Sequence, residues 1–246
     1  MRSPMLGEFM GTMMMILLGD GVVAAVLLKR SKAENSGWMV ITTGWAFAVL
    51  CGIFTAILFG SKDGHLNPTI TLAFAIQSGS FAKLLPYAIA QFAGGFCGAV
   101  LVWLFYLPHW RVTEDPEAKR AIFCTAPAIR SYASNLFCEV VATFVLVLVA
   151  GSMSSKLVLA TGAAAGLSPY LVSCLVWAIG LSLGATTGYA INPARDLAPR
   201  IAHAVLPIAG KGHSDWSYAW VPVIGPIIGA SAAGLLLRLL GAKTKM

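Results

Sequence analysis

Charged residues are so sparse along this chain that their spacing divides it into elements. Residues 35 to 61, 84 to 110 and 157 to 194 contain no Asp, Glu, Lys or Arg, and residues 4 to 28 form another apolar run, broken by Glu8 and Asp20. Stretches 132 to 152 and 217 to 240 complete the set. A helix that crosses the hydrocarbon core needs about 20 mostly apolar residues at about 1.5 Å each. Each of the first two gaps therefore holds one span, and the third exceeds one span without making two. The pattern predicts six spans of an all-α membrane protein. With Glu8 inside it and enough length to cross, the first run reads as a retained helix and not a signal peptide.

The spans repeat. Glu8 and Glu139 stand 131 positions apart, each opening an apolar run with a threonine four residues on, Thr12 and Thr143. The same offset aligns Tyr87 with Tyr218, Gly94 with Gly225 and Gly98 with Gly229. Between them Asn67-Pro68-Thr69 and Asn192-Pro193-Ala194 recur at a separation of 125. The chain thus reads as one domain, 1–246, built of repeats 1–120 and 131–246, each ordered helix, helix, Asn-Pro segment, helix. Three crossings is an odd number, so the second repeat enters the membrane inverted.

Proline suits the first turn of a helix, where its missing N–H costs nothing, and asparagine before it is a good N-cap. Each Asn-Pro pair therefore starts a helix. The runs from Pro68 to about Gln77 and from Pro193 to about His203 are each some 15 Å long, half the hydrocarbon thickness. They predict half-helices, preceded by irregular chain at Gly60 to Leu66 and Gly184 to Ile191. Irregular backbone at membrane depth is tolerated where it is buried in protein or lines a water-filled path. Two inverted half-helices meeting end to end, with loop carbonyls turned to a lumen, describe a pore.

Composition narrows the reading further. The chain is 58% hydrophobic and 11% charged, against about 25% charged in soluble domains. Its net charge of +7 comes from 17 basic residues scattered through short loops, a pattern of loop and lipid-headgroup contact with no stripe for nucleic acid. The five cysteines, Cys51, Cys97, Cys124, Cys138 and Cys174, are odd in number and lack CxxC spacing; they read as small buried hydrophobes. His65 has no ligand neighbours that would make a metal site, and His109, His203 and His213 read as loop residues. No nucleophile pair, phosphate loop or metal cluster is present, so no enzyme, cofactor or metal is expected. Charge does not settle orientation. A cytoplasmic N-terminus would place Arg2, Lys62, Lys83, Lys156, Arg238, Lys243 and Lys245 inside and the other ten basic residues outside, contrary to the positive-inside rule.

The residues that carry a family resemblance are Gly7-Glu8-Phe9 with Gly11-Thr12, Gly44-Trp45, Gly64-His65-Leu66-Asn67-Pro68 and Gly188-Tyr189-Ala190-Ile191-Asn192-Pro193-Ala194-Arg195-Asp196. Over nearly its whole length the sequence resembles the major intrinsic proteins, the aquaporin and glycerol facilitator family. That resemblance implies six spanning helices plus two re-entrant half-helices, one pore per subunit, a homotetramer in the cell membrane and cytoplasmic termini. Thr69 departs from the alanine usual in the first motif, and its hydroxyl calls for a partner such as a carbonyl of its own turn.

Carried over residue by residue, the narrowest ring falls on Trp45, Gly180, Tyr189 and Arg195. Water-selective relatives typically have histidine at the Gly180 position and phenylalanine at the Trp45 position, so a wider ring is expected here. Trp45 and Tyr189 form an apolar corner for a carbon backbone, and Arg195 donates to hydroxyls. Asp196 after the arginine is similar to glycerol-conducting members and is expected to give structural support. Solute hydroxyls would pass between the carbonyls of Gly64, His65 and Leu66, the amides of Asn67 and Asn192, and the carbonyls of Gly188, Tyr189 and Ala190. Glu8 and Glu139 admit two readings, a proton-coupling site or acceptors that pin the loop N–H groups. Symmetry and family precedent favour the second. Asp20 has no counterpart and is placed facing a vestibule. The expected activity is passive passage of glycerol and similar uncharged solutes with some water. A water-selective pore, a path for protonated lactic acid and, in a different class, a proton-coupled transporter are the alternatives.

Overall fold

The structure, a computed structural model, describes residues 2–153, 155, 158, 164 and 166–242. Lys156, Lys243 and Lys245, counted above, lie outside the described residues. Every regular element among them is helical: α1 Pro4–Leu27, α2 Trp38–Phe59, α3 Pro68–Ser78, α4 Leu84–Phe105, short α5 Leu107–Val112 and α6 Pro116–Phe123, α7 Tyr132–Met153, α8 Leu167–Ser182, a 3-10 turn at Gly184–Thr186, α9 Pro193–Val205 and α10 Val221–Leu239. Local chemistry sets several of these ends. Ser3 Oγ accepts the Leu6 N–H ahead of Pro4 at the start of α1. Gly60, at φ 112°, closes α2 in a conformation that a side chain would resist.

Five helices, α1, α2, α4, α7 and α10, are long and apolar enough to cross a membrane. The sixth crossing belongs to α8, whose 16 mostly apolar residues give it about 24 Å. Helices apolar on every side are expected where one face meets neighbours and the other meets hydrocarbon. Ile16 and Ala24 of α1 are fully buried, whereas Leu85 and Phe105 of α4 are 69% and 76% exposed.

α1 packs on α2 and α4, and α7 packs on α10. Each half-helix leans on the other half of the chain, α3 against α10 and α9 against α4. Small residues make this possible, because backbones approach closely where side chains are absent. A Cβ on Gly94 would lie 2.2 Å from the Phe9 carbonyl oxygen, and one on Gly229 would lie 2.2 Å from that of Val140. These contacts pair Gly94 with Gly229, since Phe9 and Val140 are themselves 131 positions apart. The uniform offset that aligned Gly94 with Gly225 is therefore wrong by four residues. A shift of about one helical turn keeps the same face inward, which is why the sequence alone does not expose it.

Other expectations need correction. The connection between α4 and α7 is not loop throughout but carries α5 and α6, and α6 packs against α1 and α9. His109 lies on α5. His203 lies in the last turn of α9, fully buried, with Nδ1 2.8 Å from Ser214 Oγ. Of the cysteines Cys124 alone is buried; Cys51 is exposed and the other three are half-buried. An apolar span does not distinguish an inward from a lipid-facing position.

Candidate functional site

The two Asn-Pro segments meet at the centre of the molecule. Asn67 caps α3 by accepting the Thr69 N–H at 2.9 Å, and Asn192 caps α9 by accepting the N–H groups of Ala194 and Arg195 at 3.0 and 3.3 Å. Their amide nitrogens then cross over. Asn67 Nδ2 donates to the Ile191 carbonyl and Asn192 Nδ2 donates to the Leu66 carbonyl, both at 2.8 Å. Each Nδ2 carries two N–H groups, so one remains for a passing solute. The Thr69 hydroxyl finds a different partner from the expected carbonyl of its own turn. It donates to Asn67 Oδ1 at 2.7 Å, and the Ile191 carbonyl lies 3.4 Å away across the junction.

Both incoming loops are held in unusual backbone. Gly64 and Leu66 have φ of 53° and 52°, and Gly188, Tyr189 and Ile191 have φ of 79°, 37° and 45°. For the non-glycine residues this region costs about 1–2 kcal/mol each. Two buried carboxylates supply the restraint. Glu8 accepts from the Ser61 hydroxyl, the His65 and Leu66 N–H groups and Gln91 Nε2, at 2.6 to 2.9 Å. Glu139 accepts from the Thr187 hydroxyl and the N–H groups of Ala190 and Ile191, at 2.7 to 3.0 Å. Charge-assisted bonds of this kind are roughly twice as strong as neutral ones.

Beside this junction runs a cavity of about 240 Å³. Its lining combines apolar side chains, among them Val49, Ile53, Ile70, Leu146 and Val176, with the loop residues Gly64, His65, Leu66 and Asn67 and Tyr189, Ala190, Ile191 and Asn192. Two glycines named from the sequence, Gly188 and Gly180, do not line it. A Cβ on Gly188 would meet Thr125. Lys62 and Asp63 also line the cavity. The Asp63 carboxyl is pushed up by partial burial, but Lys83 and Tyr87, bonded to it at 2.7 and 2.6 Å, outweigh this and hold it below the usual range.

Trp45, Tyr189 and Arg195 line the cavity together. The Arg195 guanidinium carbon sits 4.1 Å from the centre of the Trp45 ring, within cation–π range. Gly180 lies behind Tyr189: a Cβ there would be 3.0 Å from the Tyr189 Cζ and hydroxyl oxygen. The expectation that a glycine simply widens the ring is thus corrected, because the tyrosine ring takes up the space. Trp38, which no motif singles out, holds this corner by donating from Nε1 to the Gly180 carbonyl at 3.1 Å and packing edge-on against Tyr189.

Behind the arginine lies a cluster that sequence reasoning missed. Asp196 accepts from the Thr125 N–H and hydroxyl and takes two bonds from Arg200. Arg200 also donates to the carbonyls of Thr125, Ser214 and Asp215, so its five N–H groups are all engaged although its side chain is fully buried. The available signal was an arginine one turn after Asp196 in a helix at membrane depth. Asp20 is likewise elsewhere than expected, fully buried and off the cavity wall.

Comparison with known proteins agrees with this architecture. Residues 2–237 match the Major intrinsic protein family, and the chain belongs to that family of membrane transport proteins, which are not enzymes. It is 56% identical over 230 residues to a probable glycerol uptake facilitator protein of Thermotoga maritima, covering 92% of this chain and 94% of the relative. It is 53% identical over 247 residues to glycerol uptake facilitator protein 3 of Lactiplantibacillus plantarum, covering 98% and 99%. The solved aquaglyceroporin from Plasmodium falciparum shares the fold with a TM-score of 0.83 at 24% identity, over 95% of this chain and 94% of that one.

Proposed function

We propose that this chain is a passive channel for glycerol and similar small uncharged solutes, with some water. The observation that carries the reading is the mixed lining of the cavity, apolar side chains together with two loops and two asparagines. A polyol matches it, with its carbons against the apolar side chains and its hydroxyls to the loops and asparagines. Trp45, Tyr189 and Arg195 form the filter, with Gly180 as the support that lets Tyr189 withdraw. The carbonyls of Gly64, His65, Tyr189 and Ala190 and the spare asparagine N–H groups form successive weak sites, so that solute enters and leaves readily. Glu8, Glu139 and Asp196 hold this lining in place. Protons and cations are opposed by Arg195 and by the N-termini of α3 and α9, each worth about half a positive charge.

The names of the relatives from Thermotoga maritima and Lactiplantibacillus plantarum support the same solute. The family resemblance supports a homotetramer in the cell membrane with both termini cytoplasmic, and inverted repeats within one channel domain. The test is glycerol and water flux measured side by side in proteoliposomes. Glycerol entry well above that of empty vesicles and unaffected by a protonophore is the expected result. Entry no faster than in empty vesicles overturns the substrate, and collapse with the protonophore overturns passive transport.

A further inference from the structure

Arg195 is the filter residue whose charge is least accounted for. Its neighbour Asp196 is fully committed to Thr125 and Arg200. Arg195 itself is only 8% exposed, and its Nη1 is buried without a hydrogen-bond partner among the described residues. The nearest carboxylate is Asp20 of α1, with Oδ1 3.9 Å from Nη1. Both oxygens of Asp20 are also buried without hydrogen-bond partners. At that distance the two groups are not directly hydrogen-bonded and interact through charge. A buried charge is costly without an opposite charge nearby, and each of these groups is the oppositely charged neighbour of the other.

The same turn of α1 supports the other side of the filter. Gly19 packs under Trp45 so closely that a Cβ would fall 2.3 Å from its Cζ3. The Arg195 guanidinium lies over that same indole. Gly19 and Asp20 thus provide the surface on which Trp45 rests and the charge towards which Arg195 points. Asp20 does not line the cavity.

We propose that Asp20 is a positioning residue of the selectivity filter, a counter-charge behind the pore wall that sets where the Arg195 guanidinium sits and how much positive potential the filter shows. Asp20 acts on solute only through Arg195. The proposal rests on the channel reading for its effect on transport, but the coupling between the two residues does not.

The test is a cycle of Asp20→Asn, Arg195→Leu and the double variant, read by thermal midpoint in detergent and by the glycerol-to-water permeability ratio in vesicles. Asp20→Asn keeps the shape and removes the charge. With Arg195 present it should lower the midpoint by about 5 °C and change the ratio by about threefold. In the Arg195→Leu background it should leave the midpoint unchanged or raise it, since the carboxylate there has lost its partner. Equal shifts in both backgrounds overturn the proposal. Coupling in stability with an unchanged ratio also overturns it, because the pair would then hold the fold without tuning the filter. If Asp20→Asn alone does not fold, a folded double variant supports the proposal and an unfolded one overturns it. Failure of the unmodified chain to pass glycerol would sink the channel reading, while the midpoint cycle would still decide the Asp20–Arg195 coupling.

Discussion

Replacing Glu8 by glutamine separates the two roles open to a carboxylate inside a span. In the structure Oε1 accepts from the Ser61 hydroxyl and the His65 N–H, and Oε2 accepts from the Leu66 N–H and Gln91 Nε2. Glutamine supplies one acceptor and one donor, so whichever way its amide turns, an NH2 faces one of those pairs. Some of the loss can relax: the Ser61 hydroxyl can rotate to accept, and Gln91 can turn its unpartnered Oε1 to the new donor. One backbone N–H, of His65 or of Leu66, is left facing a donor. A buried unsatisfied donor costs about 1–3 kcal/mol, and the remaining bonds weaken because their acceptor is no longer charged. The sum is about 3 kcal/mol, or ~10 °C in thermal midpoint for a chain of this size. Glu8→Gln should therefore melt earlier in detergent and pass less glycerol, with no change in its indifference to a proton gradient. A midpoint within about 2 °C of the parent would refute the anchoring argument. So would transport that was proton-dependent in the parent and became independent in the variant.

Three further outcomes follow from geometry. Gly229→Ala and Gly94→Ala each drive a methyl into a backbone carbonyl 2.2 Å away and should cost about 3 kcal/mol or prevent folding, whereas Gly21→Ala, which meets nothing within 4 Å, should stay within about 1 kcal/mol of the parent by the same assay. Gly180→Ala should press on Tyr189 and move its ring into the cavity, lowering glycerol flux several times more than water flux in stopped-flow measurements; equal loss of both would show that Gly180 does not set the tyrosine. At the loop before α10, burial raises the Asp215 carboxyl, but bonds from Arg130 and Ser217 outweigh it and hold it below the usual range. Such a group stabilises the fold fully above its unfolded value of about 4 and loses that contribution as pH falls through its lowered value. Thermal midpoints should therefore drop below about pH 4, and Asp215→Asn should flatten that acid limb.

The fold was legible because the bilayer imposes a length scale that charge spacing reveals directly. The five long spans lie where two uncharged gaps, the two Glu-containing runs and the stretch 217 to 240 place them, and the Asn-Pro pairs carry their own capping chemistry. The short sixth helix was less distinct, since its gap also contains the pore loop. At the candidate site, residues of the two loops and the arginine, proposed from motif and depth, line one cavity. Sequence did not reveal which side of a helix a residue faces. Gly180 was read as open space when a neighbouring ring fills it, and Asp20 was sent to a vestibule when it lies behind the wall. Thr125 and Trp38 were missed because their partners lie 71 to 142 positions away, and Arg200 because it joins Asp196 of its own helix to Thr125, 75 positions distant.

The exchange of amides between Asn67 and Asn192 also constrains the order of assembly. The Leu66 carbonyl has to await a donor 126 positions downstream, and α3 rests on α10, the last helix described. Contacts so distant in sequence form late, after the intervening loops have closed. During synthesis the first loop would enter the membrane with its carbonyls and asparagine unsatisfied, in a setting where unmet polar groups are expensive. The pore is therefore the final product of folding and not a property of either half.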